Sequence, residues 1–257
     1  MITSLQNPQV KRAVLLQQKA SARRASGLFV VEGRREVERC LAGGYEVEML
    51  FAVSAEAGLP SISPSSVVEV SPAVYEKIAY RGGTEGMLAV VRQREGRLED
   101  LPHGEAPLYV VLESVEKPGN LGAVLRSADA ACADAVIVCD PLCDLYNPNL
   151  IRSSLGARFT VPTLACTSGE CIGFLRRRGV RILTAQLQDS ALYYDTDMTR
   201  PTALVMGTES TGLTQQWRAA ADAHIRIPML GRVDSLNVSV SAAVLLFEAV
   251  RQRRRVP

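Results

Sequence analysis

Beyond residue 107 the chain alternates short apolar runs with helical stretches, and this alternation restricts the fold more than any other feature. Strands read at Tyr109–Leu112, Ala135–Cys139, Arg181–Thr184, Ala203–Met206 and Ile225–Ile227, with helical stretches between most of them. Strands that alternate with helices build a parallel sheet covered on both faces, an α/β fold. Ligand sites in such sheets gather in the loops beyond the carboxyl ends of the strands. Chemistry is therefore expected in those loops.

A polar segment, Glu95–Pro107, holds two prolines and two glycines and separates this region from what precedes it. The expected division is residues 1–98, a linker at 99–106 and a second domain at 107–257. The first part reads as a small α/β domain. It has a helix at Val10–Gln17, a strand at Leu28–Glu32, a helix at Arg34–Leu41, strands at VEMLFAV and near Val67 and Met87, and a helix at Ala73–Ala79.

Composition excludes several classes. The longest apolar-rich stretch, Val238–Val250, is broken by Ser239, Ser241 and Glu248 and falls short of a bilayer span. The opening residues also lack the apolar run of a secretory signal. A soluble, cytoplasmic protein with no membrane association is expected. Six cysteines include no CxxC pair and only two histidines occur, so reduced thiols are expected and no metal site. Net charge is only +2, but it is unevenly spread: the first 27 residues carry Lys11, Arg12, Lys19, Arg23 and Arg24 and no acidic side chain. Two further clusters are Arg176, Arg177, Arg178 and Arg181, and Arg251, Arg253, Arg254 and Arg255. Each cluster alone reads as a solvated helix face. Three in a nearly neutral chain point to a phosphate-binding face.

Three constellations carry the chemistry. In VLESVEKPGNLGAVLRSADA, Val111–Ala130, a strand turns through Pro118 and Gly119 into a helix that Asn120 is placed to cap, with Arg126 less than two turns along. The run lacks the GxGxxG spacing of a dinucleotide site. In LVMGTESTGL, Leu204–Leu213, Gly207 and Gly212 suit a loop that wraps closely round a ligand, and Glu209 becomes of interest if Arg126 is near. In the third, Ile225–Arg255, Ser235, Leu236 and Asn237 introduce a helix that opens on small residues. Ser235 or Asn237 serves as its cap. Loops rich in Gly, Asn and Ser and poor in His, Lys and Cys describe a pocket built from backbone. Such a pocket suits an adenine-bearing cofactor whose reactive group needs little activation.

Taken in order, PGNLGAVLRSADA, MGTESTGL and IPMLGRVDSLNVSVSAAVLLFEAVRQ closely resemble the three signature motifs of the SpoU (TrmH-type) ribose methyltransferases of the SPOUT superfamily. The opening forty residues resemble the start of the L30e-like substrate-binding domain of many members. The resemblance implies a deep C-terminal trefoil knot, an exception to the rule that chains avoid knots, and a homodimer. It implies S-adenosyl-L-methionine as cofactor, held by loops containing Leu204, Met206, Gly207, Ile227, Met229 and Leu236. It places Arg126 at the ribose hydroxyl, with Asn120, Glu209, Ser235 and Asn237 ordering the site. A guanidinium is a poor base, so activation runs through the RNA phosphate or through its charge. Thr208 and Ser210 depart from the commoner second-motif residues.

The activity implied is methyl transfer to a ribose 2′-hydroxyl of structured RNA, ribosomal RNA ahead of transfer RNA, with Lys11, Arg12, Lys19, Arg23 and Arg24 as RNA contacts. A catalytically silent RNA-binding protein on the same fold is the alternative, against which the intact motif residues count. A nicotinamide-dependent oxidoreductase is disfavoured by the missing GxGxxG.

Overall fold

A computed structural model describes residues 1–54, 63, 66–80, 86–208 and 211–254. It divides into two compact units, one of Met1–Arg94 with Tyr146–Thr160, the other of Glu95–Leu145 with Val161–Pro257.

In the first unit α1 (Pro8–Gln18) begins on Asn7, whose side chain accepts the Gln9 amide, with proline in the first turn. Both features suit a helix start. A second short helix, α2 (Ala20–Ser26), stops at Gly27, whose φ of 65° favours glycine. Then come β1 (Leu28–Glu32), α3 (Arg34–Ala42), β2 (Val47–Ala52), β3 (Val67–Glu69), α4 (Pro72–Ile78) and β4 (Met87–Arg92). The strands form one sheet in the order β1-β4-β2-β3, in which only β2 and β3 run parallel. Both faces are covered, and alternate residues of β1 serve opposite sides. Phe29 and Val31 pack with Val37, Cys40 and, from the returning segment, Tyr146, Ile151 and Phe159. Leu28 and Val30 pack with Val10, Leu16, Val74 and Ile78 of α1 and α4.

The second unit contains β5 (Leu108–Glu113), α5 (Pro118–Ala130), β6 (Ala135–Cys139), β7 (Thr163–Cys166), α8 (Ser168–Arg177), β8 (Arg181–Ala185), β9 (Ala191–Leu192), β10 (Thr202–Met206), α9 (Gln215–Ala220), β11 (Ala223–Arg226) and α10 (Val238–Arg253); α6 (Pro148–Ser153) and α7 (Ala157–Thr160) belong to the first unit. The expected parallel sheet is present: seven strands in the order β7-β6-β5-β10-β8-β11-β9, every pair parallel. Two of these strands, β7 and β9, are additions to those read from the sequence. After β7 the chain crosses to β8, and β10 then fills the place between β5 and β8. β5 and β10 are buried along their whole length. A parallel strand covered on both faces has this pattern, and it explains their unbroken apolar runs. α8 starts on a reciprocal capping box between Thr167 and Glu170. α10 packs on α5 and β10. Among the described residues no helix is long and apolar enough to cross a membrane.

Candidate functional site

β10 delivers Met206 and Gly207 to the carboxyl edge of the sheet, where the chain folds back on itself. The Gly212 amide donates to the Thr208 carbonyl at 3.1 Å, and the Thr211 amide donates to the Thr208 hydroxyl oxygen at 3.0 Å. The loop is closed so tightly that a Cβ on Gly207 would lie 2.3 Å from the Gly212 carbonyl group. No side chain fits there without displacing backbone.

Beside this loop lies a cavity of about 350 Å³, within the range of small-molecule sites. Six residues expected at the site line it: Met206, Gly207, Ile227, Met229, Ser235 and Leu236. Residues that the motifs do not point to complete the wall, notably Gln186 after β8, Arg218 on α9 and Leu245 on α10. The strand-end rule covers the loop after β8, but that loop has no glycine to mark it. Two polar atoms of this wall stand out. Gln186 Nε2 donates to the Gln188 carbonyl at 2.9 Å, yet buried Gln186 Oε1 and buried Arg218 Nε have no hydrogen-bond partner among the described residues. Each such orphan costs about 1–3 kcal/mol, a cost that a complementary ligand removes.

The first motif meets the third where α10 packs on α5, and a side-chain hydrogen bond joins the starts of those helices. Asn237 caps α10, its Oδ1 accepting the Ser239 amide at 2.9 Å, while its Nδ2 donates to Asn120 Oδ1 at 3.3 Å. Asn120 is not the cap of α5. The helix begins at Pro118, with Lys117 in the capping position and no side-chain cap, because proline supplies the first helical φ. Asn120 lines a smaller cavity of about 110 Å³, which shares Gly207, Thr208 and Val238 with the larger one. Arg126 is exposed on α5 and lines neither cavity. Leu204 is fully buried within β10 and lines neither as well. It sits on the same strand face as Met206 but one pleat below the edge. Glu209 lies outside the described residues.

The basic clusters are largely engaged within the fold. Arg23, expected at RNA, is 2% exposed, and its guanidinium donates to the Leu16 carbonyl at 2.6 Å. It closes the end of α1, so a phosphate cannot reach it. Arg12 pairs with Glu48 at 2.8 Å, both partly exposed, while Lys11, Lys19 and Arg24 are exposed. In the second unit Arg178 lies over the Phe174 ring and donates to the Glu99 carbonyl. Arg251 pairs with Glu248 at 2.6 Å. Arg253 donates to the carbonyls of Met198, Ala106 and Arg200, and its burial pulls the guanidinium pKa down. Arg253 fastens the end of α10 to the segments before β5 and β10, whereas Arg251 pairs within the helix. Arg255 lies outside the described residues.

Comparison with known proteins gives this geometry its context. Residues 107–247 match the model of the SpoU rRNA Methylase family, and residues 7–89 match the MRM3-like substrate binding domain. The chain is 31% identical over 244 residues to the 23S rRNA (uridine(2479)-2'-O)-methyltransferase of Streptomyces viridochromogenes, covering 90% of this chain and 85% of that protein. Among solved structures, an RNA 2'-O ribose methyltransferase aligns with a TM-score of 0.83 at 40% identity over 98% of this chain and 99% of that one. An AdoMet-bound rRNA methyltransferase from Sinorhizobium meliloti aligns with a TM-score of 0.90 at 32% identity over 100% of this chain and 98% of that one. With its three motifs gathered at one edge of a parallel sheet and a family model spanning that whole region, the chain belongs to the SpoU rRNA methylase family.

Proposed function

We propose that this protein methylates a ribose 2′-hydroxyl of ribosomal RNA, with S-adenosylmethionine as methyl donor. The observation that carries the reading is the cavity at the carboxyl edge of the sheet, whose lining includes Gln186 and Arg218, each with a buried polar atom that has no hydrogen-bond partner among the described residues. The residues fit the cofactor. Ile227, Met229, Leu236 and Leu245 offer apolar surface for a base, and the orphaned acceptor and donor match an amino group and a carboxylate. When bound, S-adenosylmethionine supplies a methyl group on a positively charged sulfur, which needs no further activation.

The chain's own work is then to bind, exclude water and position the hydroxyl. Gly207 leaves space for close approach of the backbone. The Asn120–Asn237 bond holds the first motif against the third at the smaller cavity. Arg126, exposed on α5 less than two turns beyond Asn120, is the residue assigned to the RNA: its fixed positive charge stabilises the developing alkoxide or orients the neighbouring phosphate. Glu209 and Ser235 order the loops on either side. The first domain supplies RNA affinity through exposed Lys11, Lys19 and Arg24, with Arg12 contributing if it leaves Glu48. The relative matched over 90% of the chain is named for 23S rRNA, which favours ribosomal over transfer RNA. The working form is a homodimer in the cytoplasm, with a C-terminal trefoil knot and with the domain division at 98 and 107. Sedimentation at micromolar concentration tests the dimer, and a monomer refutes it.

The decisive experiment maps ribose methylation in ribosomal RNA from cells with and without the gene. It then restores the missing mark in vitro with purified protein and labelled S-adenosylmethionine. One ribose mark that disappears and returns is expected. Cofactor-independent RNA binding with no mark in either test would favour the silent RNA-binding reading.

A further inference from the structure

The thiols of the second unit are arranged in a way that methyl transfer does not use. Cys139 ends β6, and Cys166 ends β7 directly opposite it in register. Cys171 lies in the first turns of α8, its amide bonded to the Thr167 carbonyl that caps the helix. The Sγ atoms of Cys139 and Cys166 are 3.9 Å apart, and all three sulfurs lie within 4.8 Å of one another. Three thiolates sharing one cation at the usual ~2.3 Å metal–sulfur distance stand about 3.8 Å apart, by tetrahedral geometry. The pair already has that spacing, and the third sulfur needs a shift of less than about 1 Å to match it.

Spacing alone fits small apolar side chains packed in a core. The access route sets this cluster apart. Cys139 and Cys171 are buried, but Cys166 is only half-buried and forms part of the wall of a cavity of about 350 Å³, with Gly169, Glu170 and Gly173 of α8 and Arg177 at its rim. The cluster thus joins two buried cysteines to a half-buried one that lines an opening. The nearby carboxylates are committed elsewhere. Glu170 accepts the Thr167 amide and hydroxyl, and Asp140 accepts the Ser168 amide and hydroxyl. They leave negative charge close by while the ligand set stays all sulfur.

We propose that Cys139, Cys166 and Cys171 form a binding site for one soft, closed-shell cation, of the zinc or copper(I) class, reached through the cavity at Cys166. Sulfur-only ligands select such ions over magnesium, calcium or manganese. Binding forms three metal–sulfur bonds and releases to solvent the protons that those sulfurs carry. A divalent ion takes water on the open side as fourth ligand, and copper(I) is satisfied by the three sulfurs. The ion ties the ends of β6 and β7 to the start of α8. The cofactor cavity follows β8, β10 and β11 on the same edge and shares no residue with the cluster.

The test uses the full chain, purified reduced and free of metal. Titration with cadmium chloride should give the ultraviolet thiolate-to-cadmium absorption, saturating at one equivalent, and should raise the thermal midpoint. X-ray absorption of the wild-type complex should count three sulfur neighbours. Copper(I) delivered from a chelator buffer forms the second arm: a preference for either ion keeps the site and assigns its coordination number. Cys166→Ser should lose stoichiometric binding, while exposed Cys132→Ser keeps it. Absence of binding by both ions, fewer than three sulfur neighbours, or unchanged binding by Cys166→Ser would overturn the proposal. The sulfur count on the wild-type protein decides the matter even if the serine variant unfolds.

Discussion

The strand-end loops of the seven-stranded sheet and the helices that open the chain both concentrate polar groups, but they leave them in opposite states. Around the cofactor-sized cavity polar and apolar groups are mixed, and two polar atoms of its lining residues are buried with no hydrogen-bond partner among the described residues. Along α1 and α2 charge is dense, yet Arg23 is sealed against a helix end and Arg12 is paired with a carboxylate. One region is a preformed site that pays for its shape in unsatisfied atoms. The other keeps only part of its charge available. Unsatisfied polarity in a cavity marks a ligand site better than charge density on a surface does.

The largest effect that bears on this contrast is expected at Gly207. Gly207→Val should abolish S-adenosylmethionine binding by calorimetry, because its Cβ would collide with the Gly212 carbonyl group. Normal affinity in a folded variant would put the cofactor elsewhere. Next comes Arg126→Ala, for which kcat should fall roughly 100- to 1,000-fold, as for removal of one transition-state donor. Cofactor affinity should stay within about twofold, as expected for an interaction made only in the transition state. Equal losses in binding and turnover would make Arg126 a structural residue.

Gln186→Ala should weaken cofactor binding about 10-fold, near 1.4 kcal/mol for removal of one hydrogen bond. Since the variant loses only the exposed Nε2 bond to the Gln188 carbonyl and removes an oxygen without a partner among the described residues, denaturant unfolding should change by less than about 0.5 kcal/mol in the ligand-free state. A clear destabilisation would mean the carboxamide serves the fold.

The first unit should behave in the reverse way. Arg23→Ala should destabilise it by about 1–3 kcal/mol, since it strips buried carbonyls of their donor. In the folded variant the salt dependence of RNA binding should be unchanged. Substituting Lys11, Lys19 and Arg24 by Gln should shift stability by less than about 0.5 kcal/mol. It should also lower the log–log salt slope by about 0.7 to 0.9 for each phosphate that the protein no longer neutralises. If the two sets of variants exchanged their effects, the contrast between the regions would fail.

Much of the second unit is legible in the sequence because its information is local. Strands such as β5 and β10 are unbroken apolar runs, and the three motif loops announce themselves by glycine and asparagine. β7 and β9 are not legible, since Thr163–Cys166 and Ala191–Leu192 are too short and mixed to carry a period, and only pairing with a neighbour makes them strands. At the start of α5 a capping asparagine competes with Pro118, and the proline ring is the stronger signal. The role of Arg23 cannot be read from sequence, because what engages a charge is the carbonyl it meets in space. The same holds for Tyr146–Thr160, which groups with the first unit although its sequence lies among the strands of the second.

The cavity wall also has a temporal meaning. Its residues run from Ala185 to Leu245, and the helix that completes it, α10, packs back on α5, which is made long before it in chain order. A ribosome therefore releases β5, β6, β7 and β8 before the cofactor has anywhere to bind. Until β10 emerges the place between β5 and β8 waits unfilled, and until α10 emerges so does the side of α5 on which it packs. The growing chain thus has no complete cofactor cavity until α10, the last helix in chain order, has emerged.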